Sequence, residues 1–130
     1  MILYLASVEQ QWNEQYKMPT NNKNVLESYY YARRHETGQY AYAYDYKKLF
    51  LDSGAFSAWN IGDTLDIQQY IDFIKKKKDC IDTYVNMDVI HNPEETMDNQ
   101  NIMEEQGLNP VPVFHPEEDF DYLIHYAKKY

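Results

Sequence analysis

The stretch Leu49-Phe50-Leu51-Asp52-Ser53-Gly54-Ala55-Phe56-Ser57 decides the fold class, because three apolar residues run straight into a carboxylate and a glycine-containing turn. A short apolar run bounded by a turn signal reads as a buried strand, and parallel α/β folds place their working groups at the C-terminal ends of such strands. The pattern recurs. Thr83-Tyr84-Val85-Asn86-Met87 leads into Asp88, and Val111-Pro112-Val113-Phe114 leads into His115, each followed by helical patterning. One acid after one strand is ordinary turn or cap chemistry. Asp, Asp and His after three successive strands mark a candidate site.

Between these strands the helix signals are clear. Thr64 to Lys77 carries Ile67, Tyr70, Ile71 and Ile74 at amphipathic spacing, with Asp63 or Thr64 as N-cap and the run Lys75 to Lys78 offsetting the dipole at its end. Asn92-Pro93-Glu94-Glu95 combines a cap, a proline at the first helical position and an acid at the third, and Gly107 stops the helix that follows. Pro116 opens a last helix with Glu117, Glu118 and Asp119 in its first turn, a buried stripe of Phe120, Leu123, Ile124 and Ala127, and Lys128 and Lys129 at its end.

The first third is less regular. Met1 to Ser7 reads as a strand, Glu9 to Lys23 as a polar loop containing Pro19, and Asn24 as the cap of a helix reaching about Arg34. In His35 to Tyr46, interrupted by Gly38, the alternating Tyr40, Tyr42, Tyr44 and Tyr46 fit a strand or a short extended loop.

Strand and helix thus alternate four times, the signature of βαβ units with a parallel sheet in a single α/β domain of residues 1–130. The order is that of a (β/α)4 unit, half of a (β/α)8 TIM barrel, and a doubly wound four-stranded sheet also satisfies it. The absence of G-x-G-x-x-G or G-x-x-x-x-G-K-S/T removes the dinucleotide and P-loop readings.

Composition narrows the partners. A formal charge of −9 disfavours nonspecific binding to a phosphate backbone, which depends on Lys and Arg releasing counterions. A single cysteine, Cys80, supplies neither a disulfide framework nor a Cys-rich zinc motif, which fits a reducing cytoplasm. The apolar start Met1 to Val8 is too short for a signal peptide, and no run reaches membrane-spanning length. Fourteen tyrosines, dense between Tyr29 and Tyr46, suit a packing layer whose hydroxyls find partners, or a surface that stacks bases or contacts a partner.

Asp52-Ser53-Gly54-Ala55-Phe56-Ser57 and Val85-Asn86-Met87-Asp88 resemble the tRNA-guanine transglycosylase superfamily, in particular phage-encoded queuine tRNA-ribosyltransferase-like proteins, from about Leu26 onward. In that family one strand ends in Asp-Ser-Gly-Gly/Ala-Phe and the next in a second Asp. The resemblance implies a (β/α)8 barrel that exchanges guanine for a 7-deazaguanine base in tRNA or DNA, and no cofactor is expected of this chain. It places Asp52 as the acid/base and Asp88 on the guanine edge, with Ser53 and Gly54 shaping the loop between them, and Phe56, His91 and His115 join Asp88, Ser53 and Gly54 as candidate substrate-binding residues. The family's nucleophilic aspartate and its zinc site lie on later segments with no counterpart here. Four strands of a barrel leave two unpaired edges. A homodimer, a second chain completing the barrel, an altered small fold or a shortened chain would answer that.

Each candidate has a plainer role beside the functional one. Asp52 and Asp88 suit turns and caps, His115 a helix-start position with a satisfied ring, and His91 and Phe56 the loops beside the pocket. Asp52, Asp88, His91 and His115 lack the spacing of a metal motif, so no metal is expected, and Ser53 lacks the G-x-S-x-G elbow. His35 and His125 read as surface positions. Two functions follow: a transglycosylase-like pentosyltransferase whose nucleophile this chain does not contain, or a non-catalytic acidic protein that binds and modulates a protein partner.

Overall fold

The computed structural model describes residues 1–6, 24–33 and 48–130. The alternating tyrosines of His35–Tyr46 and the polar segment Glu9–Lys23 lie outside them. The described chain is a mixed α/β structure in which β1 (Asn24–Ser28), β2 (Lys48–Asp52) and β3 (Thr83–Tyr84) form an open parallel sheet in that order. Five helices accompany it: α1 (Tyr29–Ala32), α2 (Ala55–Asn60), α3 (Ile67–Lys76), α4 (Pro93–Glu105) and α5 (Phe120–Lys129). Single parallel bridges, Leu5 to Val25 and Val85 to Val111, extend the sheet at its two edges. The expected strands Met1–Ser7 and Val111–Phe114 are thus represented by one bridged residue each.

Asn24 does not cap a helix. Residues Asn24–Ser28 pair along their whole length with Lys48–Asp52, and Leu5 exchanges backbone bonds with Asn24 and Leu26 on the other side at 2.9 and 2.8 Å. A five-residue segment flanked by two parallel neighbours gains ladder bonds on both sides, which outweighs a local capping preference. Helix geometry begins only at Tyr29, after an extended Ser28.

The core forms where Leu49 and Leu51 of β2 meet Tyr70, Ile71, Phe73 and Ile74 of α3, joined by Tyr29 and Ala32 of α1 and Met103 of α4. Burying a Leu or Ile side chain contributes about 1.5–3 kcal/mol, so this contact dominates the stability of the sheet. Tyr29 packs on Tyr70 and Phe73 with ring centroids 4.8 and 5.2 Å apart. Tyr29 and Tyr30 are each 2% exposed; Tyr29 belongs to this core, while the Tyr30 ring packs against Tyr31 and under the Arg33 guanidinium.

Helix α3 carries the expected stripe and lysine terminus, but its cap is Asp66, whose side chain accepts from the Gln69 N–H at 2.8 Å, and not Asp63 or Thr64. The intervening residues make room for α2, which the sequence reading did not anticipate. Helix α4 begins as expected, with Asn92 Oδ1 accepting from the Glu95 N–H at 3.1 Å, and stops before Gly107 at φ +81°. Helix α5 starts at Phe120, capped by Asp119, not at Pro116. Its expected stripe is not buried: Phe120 and Ile124 are 64% and 40% exposed, and Tyr126 faces inward instead. The helix is rotated because Lys129 and the Tyr130 hydroxyl both bind Glu104 of α4.

Candidate functional site

Parallel strands end on the same edge of a sheet, so β2 delivers Asp52 and Ser53 to the edge where the segment after β3 delivers Asp88. Register pairs Ser28 with Asp52, and alternation puts Asp52 on the face of Phe50, opposite the Leu49 and Leu51 core. Gly54 follows at φ +77°. Its N–H donates to Asp52 Oδ2 at 2.9 Å, and the Ala55 N–H donates to Ser53 Oγ at 3.1 Å, so the turn that starts α2 also fixes both side chains. Gly54 serves close approach: a Cβ there would lie 2.2 Å from Ser28 Oγ and 2.5 Å from Tyr30 Cβ.

Asp52 and Asp88 lie near enough for their charges to interact, and Ser53, next in sequence to Asp52, reaches Asp88 directly. Ser53 Oγ donates to Asp88 Oδ1 at 2.5 Å, and His115 Nε2 lies 3.1 Å from Asp88 Oδ2. Burial pushes the Asp52 carboxyl above the usual range, the negative charge of Asp88 pushes it further, and the Gly54 and Ser53 amides oppose both. Tyr70, whose hydroxyl donates to the Val85 carbonyl at 2.9 Å, is held neutral by burial first and then by the charges of Asp52 and Asp88. His115 Nδ1 in turn meets Glu118 Oε1 at 2.7 Å. Burial disfavours the charged imidazole, yet hydrogen bonding to Glu118 and the charges of Asp88 and Glu118 outweigh it and raise its pKa.

Four expected residues, Asp52, Ser53, Asp88 and His115, therefore stand in one cluster, with Gly54 fixing Asp52 from the backbone. Phe56 and His91 do not join it. Phe56 is 64% exposed on α2 beside Trp59, whose ring lies edge-on to His91 at 5.4 Å. His91, at φ +61°, turns outward to Glu117 at 3.5 Å. A cleft of about 280 Å³ runs past Asp88 between α2 and α4, with Trp59, Met87, Ile90 and Asn99 among its walls. Among the described residues no group of three His, Cys, Asp or Glu side chains is arranged to hold a metal ion. Among the described residues no helix is long and apolar enough to cross a membrane.

Two contributors escaped the sequence reading. Glu118 reads as an acid for a helix dipole but pairs with His115, and the His-x-x-Glu spacing was the available signal. The other is the polar face that α4 buries. After Asn86, whose N–H still donates to the Val111 carbonyl at 2.8 Å, the chain leaves the ladder, and Asn99 Nδ2 donates to the Met87 carbonyl at 2.9 Å while Thr96 Oγ1 accepts from the Val89 N–H at 2.9 Å. Asn86 reciprocates by donating to the Thr96 carbonyl at 2.6 Å. Side chains of α4 thus take the place of a strand partner for Met87 and Val89 and let Asp88 turn toward Ser53.

No family model matches the chain, and neither its sequence nor its fold finds a match among curated proteins or solved structures.

Proposed function

We propose that this chain builds the base site of a transglycosylase-type pentosyltransferase, its parallel units forming the first part of a (β/α)8-like barrel. The base is guanine or a 7-deazaguanine in tRNA or DNA, held at the C-terminal strand ends. The proximity of Asp52 and Asp88 carries this reading, with support from the raised Asp52 pKa and from the placement of Asp52 on the sheet face opposite the helix-packed core. A guanine edge offers N1–H and an exocyclic amino group as donors. A carboxylate has about four acceptor sites, and Ser53 and His115 occupy one each on Asp88, so it retains capacity for that edge.

A carboxyl with a raised pKa suits proton exchange with a base. Attack by a nucleophilic carboxylate on the ribose carbon forms a ribosyl ester as the bond to the base breaks. Asp52 protonates the departing base and accepts the proton of the incoming one. The nucleophile matches none of residues 1–130, and we assign it to a further segment or a second chain of different sequence meeting the open sheet edges, within the cytoplasm.

The test is calorimetry with guanine, 7-deazaguanine and adenine. Guanine-type bases are expected to bind in preference to adenine, whose ring N1 presents a lone pair where guanine donates. Asp88→Ala should weaken binding by about 1–3 kcal/mol, the cost of donors left unpaired in a buried site. Equal binding of adenine and guanine, or no purine binding at all, would refute the reading. A second reading, a non-catalytic acidic protein that modulates a protein partner, draws on the apolar outer face of α5, where Phe120 and Ile124 are exposed. Purine-independent capture of a partner, lost in Phe120→Ser, would favour it.

A further inference from the structure

His115 sits between two carboxylates, and its protonation state follows from that geometry. Nε2 lies 3.1 Å from Asp88 Oδ2 and Nδ1 2.7 Å from Glu118 Oε1. A neutral imidazole carries one N–H and one lone pair, so it satisfies one of these contacts and turns its lone pair toward an anion at the other. Only the imidazolium donates to both. The side chains of His115, Asp88 and Glu118 are 19%, 10% and 2% exposed, so water compensates little for a mismatched contact.

We propose that His115 is a positioning residue, held as a two-donor imidazolium by Asp88 and Glu118, and that it fixes the orientation of the Asp88 carboxylate at the strand ends. Asp88 is then gripped on both oxygens, by the Ser53 hydroxyl from the end of β2 and by the His115 ring from the segment before α5. The arrangement also excludes a serine nucleophile activated by histidine, because the Asp88 carboxylate stands between Ser53 and His115. The groups facing the cluster are Asp52 beyond Ser53, the buried Tyr70 of α3, and, on the Glu118 side, Tyr122 and Tyr126 of α5, whose hydroxyls burial first and then the nearby acids, Glu118 among them, keep protonated. Next to it Glu117 pairs with His91. No described lysine or arginine is paired with Asp88 or Glu118, so His115 is the cation recorded against both.

Protonation of His115 then couples to the site. Loss of the Nε2 proton, with Nδ1–H kept on Glu118, leaves a lone pair against Asp88 Oδ2, frees that contact and lets Asp88 rotate about its remaining bond to Ser53. This consequence for ligand binding rests on the purine-site reading; the grip on Asp88 does not.

The experiment is a heteronuclear NMR titration of the full chain. Expected are two protonated ring nitrogens on His115 at about pH 7, a midpoint above 6.5, and an Asp88 carboxyl carbon shift that moves with the same midpoint. Glu118→Gln should lower the midpoint, and His115→Gln should remove the pH dependence from the Asp88 signal while backbone amide dispersion is retained. A neutral single tautomer at about pH 7, or an Asp88 signal that ignores the His115 titration, overturns the proposal, and both are read on the unsubstituted chain. A parallel arm follows guanine affinity between about pH 6 and 8.5. Affinity should fall roughly tenfold or more as His115 loses its proton and stay flat in His115→Gln. Guanine binding that is flat in the unsubstituted chain overturns the positioning role. Absence of guanine binding at every pH, with the His115 and Asp88 titrations still coupled, refutes the purine site and leaves the positioning role supported.

Discussion

Replacing Gly54 by alanine probes the contact on which the site turn depends. At φ +77° an L-residue incurs the left-handed backbone penalty, roughly 1–2 kcal/mol. The added Cβ meets Ser28 Oγ at 2.2 Å and Tyr30 Cβ at 2.5 Å, with the Tyr30 amide nitrogen at 3.0 Å. Those atoms belong to β1 and α1, so relief requires moving a strand end against its ladder, and overpacking of this kind costs typically about 1–3 kcal/mol. Reduced freedom of the unfolded chain returns about 0.4–1 kcal/mol. The net loss is about 1–5 kcal/mol, a large share of the roughly 5–15 kcal/mol that a domain has. Gly107→Ala is the control, since Gly107 also has positive φ, +81°, but nothing lies within 4 Å of its Cβ position. Urea denaturation of both variants, at unchanged m-value, separates the backbone penalty they share from the clash that only Gly54 has. If the two midpoints coincide, the close approach of the β2 turn to Ser28 and Tyr30 does not exist, and the placement of Asp52 argued from it fails.

Two further outcomes follow from the titrating groups. Asp52 has a raised pKa in the folded chain, so its contribution is most favourable when protonated and is lost as pH rises through its folded pKa; Asp52→Asn should therefore stabilise the chain at neutral pH by about 0.5–2 kcal/mol, and the gain should vanish below the usual 3.8. Urea melts at both pH values check this, and destabilisation at neutral pH would count against a strained carboxyl. Glu104 is opposed by burial but held down to about 2 by Lys129, Tyr130 and Gln100, so the stability it contributes is present above 4.5 and is lost as pH falls toward 2. Amide exchange in α5 should accelerate over that window, and Glu104→Gln should flatten the response; an α5 that stays protected in acid refutes the anchor.

Where local chemistry decides, the sequence was readable. The Asn92-Pro93-Glu94-Glu95 start places its cap bond as expected, and Tyr70, Ile71 and Ile74 point where a period of 3.6 sends them. Asp52, Ser53, Asp88 and His115 meet because each follows an extended segment and all those segments run parallel. Where two surfaces compete, the sequence was silent. Asn24–Ser28 reads equally as a capped helix start, and only the ladders from Leu5 and β2 choose the strand. Phe120, Leu123, Ile124 and Ala127 form as good an apolar stripe as the one containing Tyr126, and what turns α5 is a carboxylate on another helix, Glu104, which no reading of α5 alone reveals.

The position of Asp88 needs more than strand order. Continuation of the β3 ladder would carry residues 87 and 88 straight along the sheet. The chain leaves the ladder after Asn86, and the α4 side chains Thr96 and Asn99 satisfy the backbone that leaving exposes. An apolar α4 face would have left the Met87 carbonyl and Val89 amide buried without partners, a penalty of about 1–3 kcal/mol each. The buried polar residues of α4 are therefore part of the site although none belongs to the carboxylate cluster. They make the bend affordable, the bend brings Asp88 within reach of Ser53 and His115, and the proximity of Asp88 adds to the effect of burial in raising the pKa of Asp52.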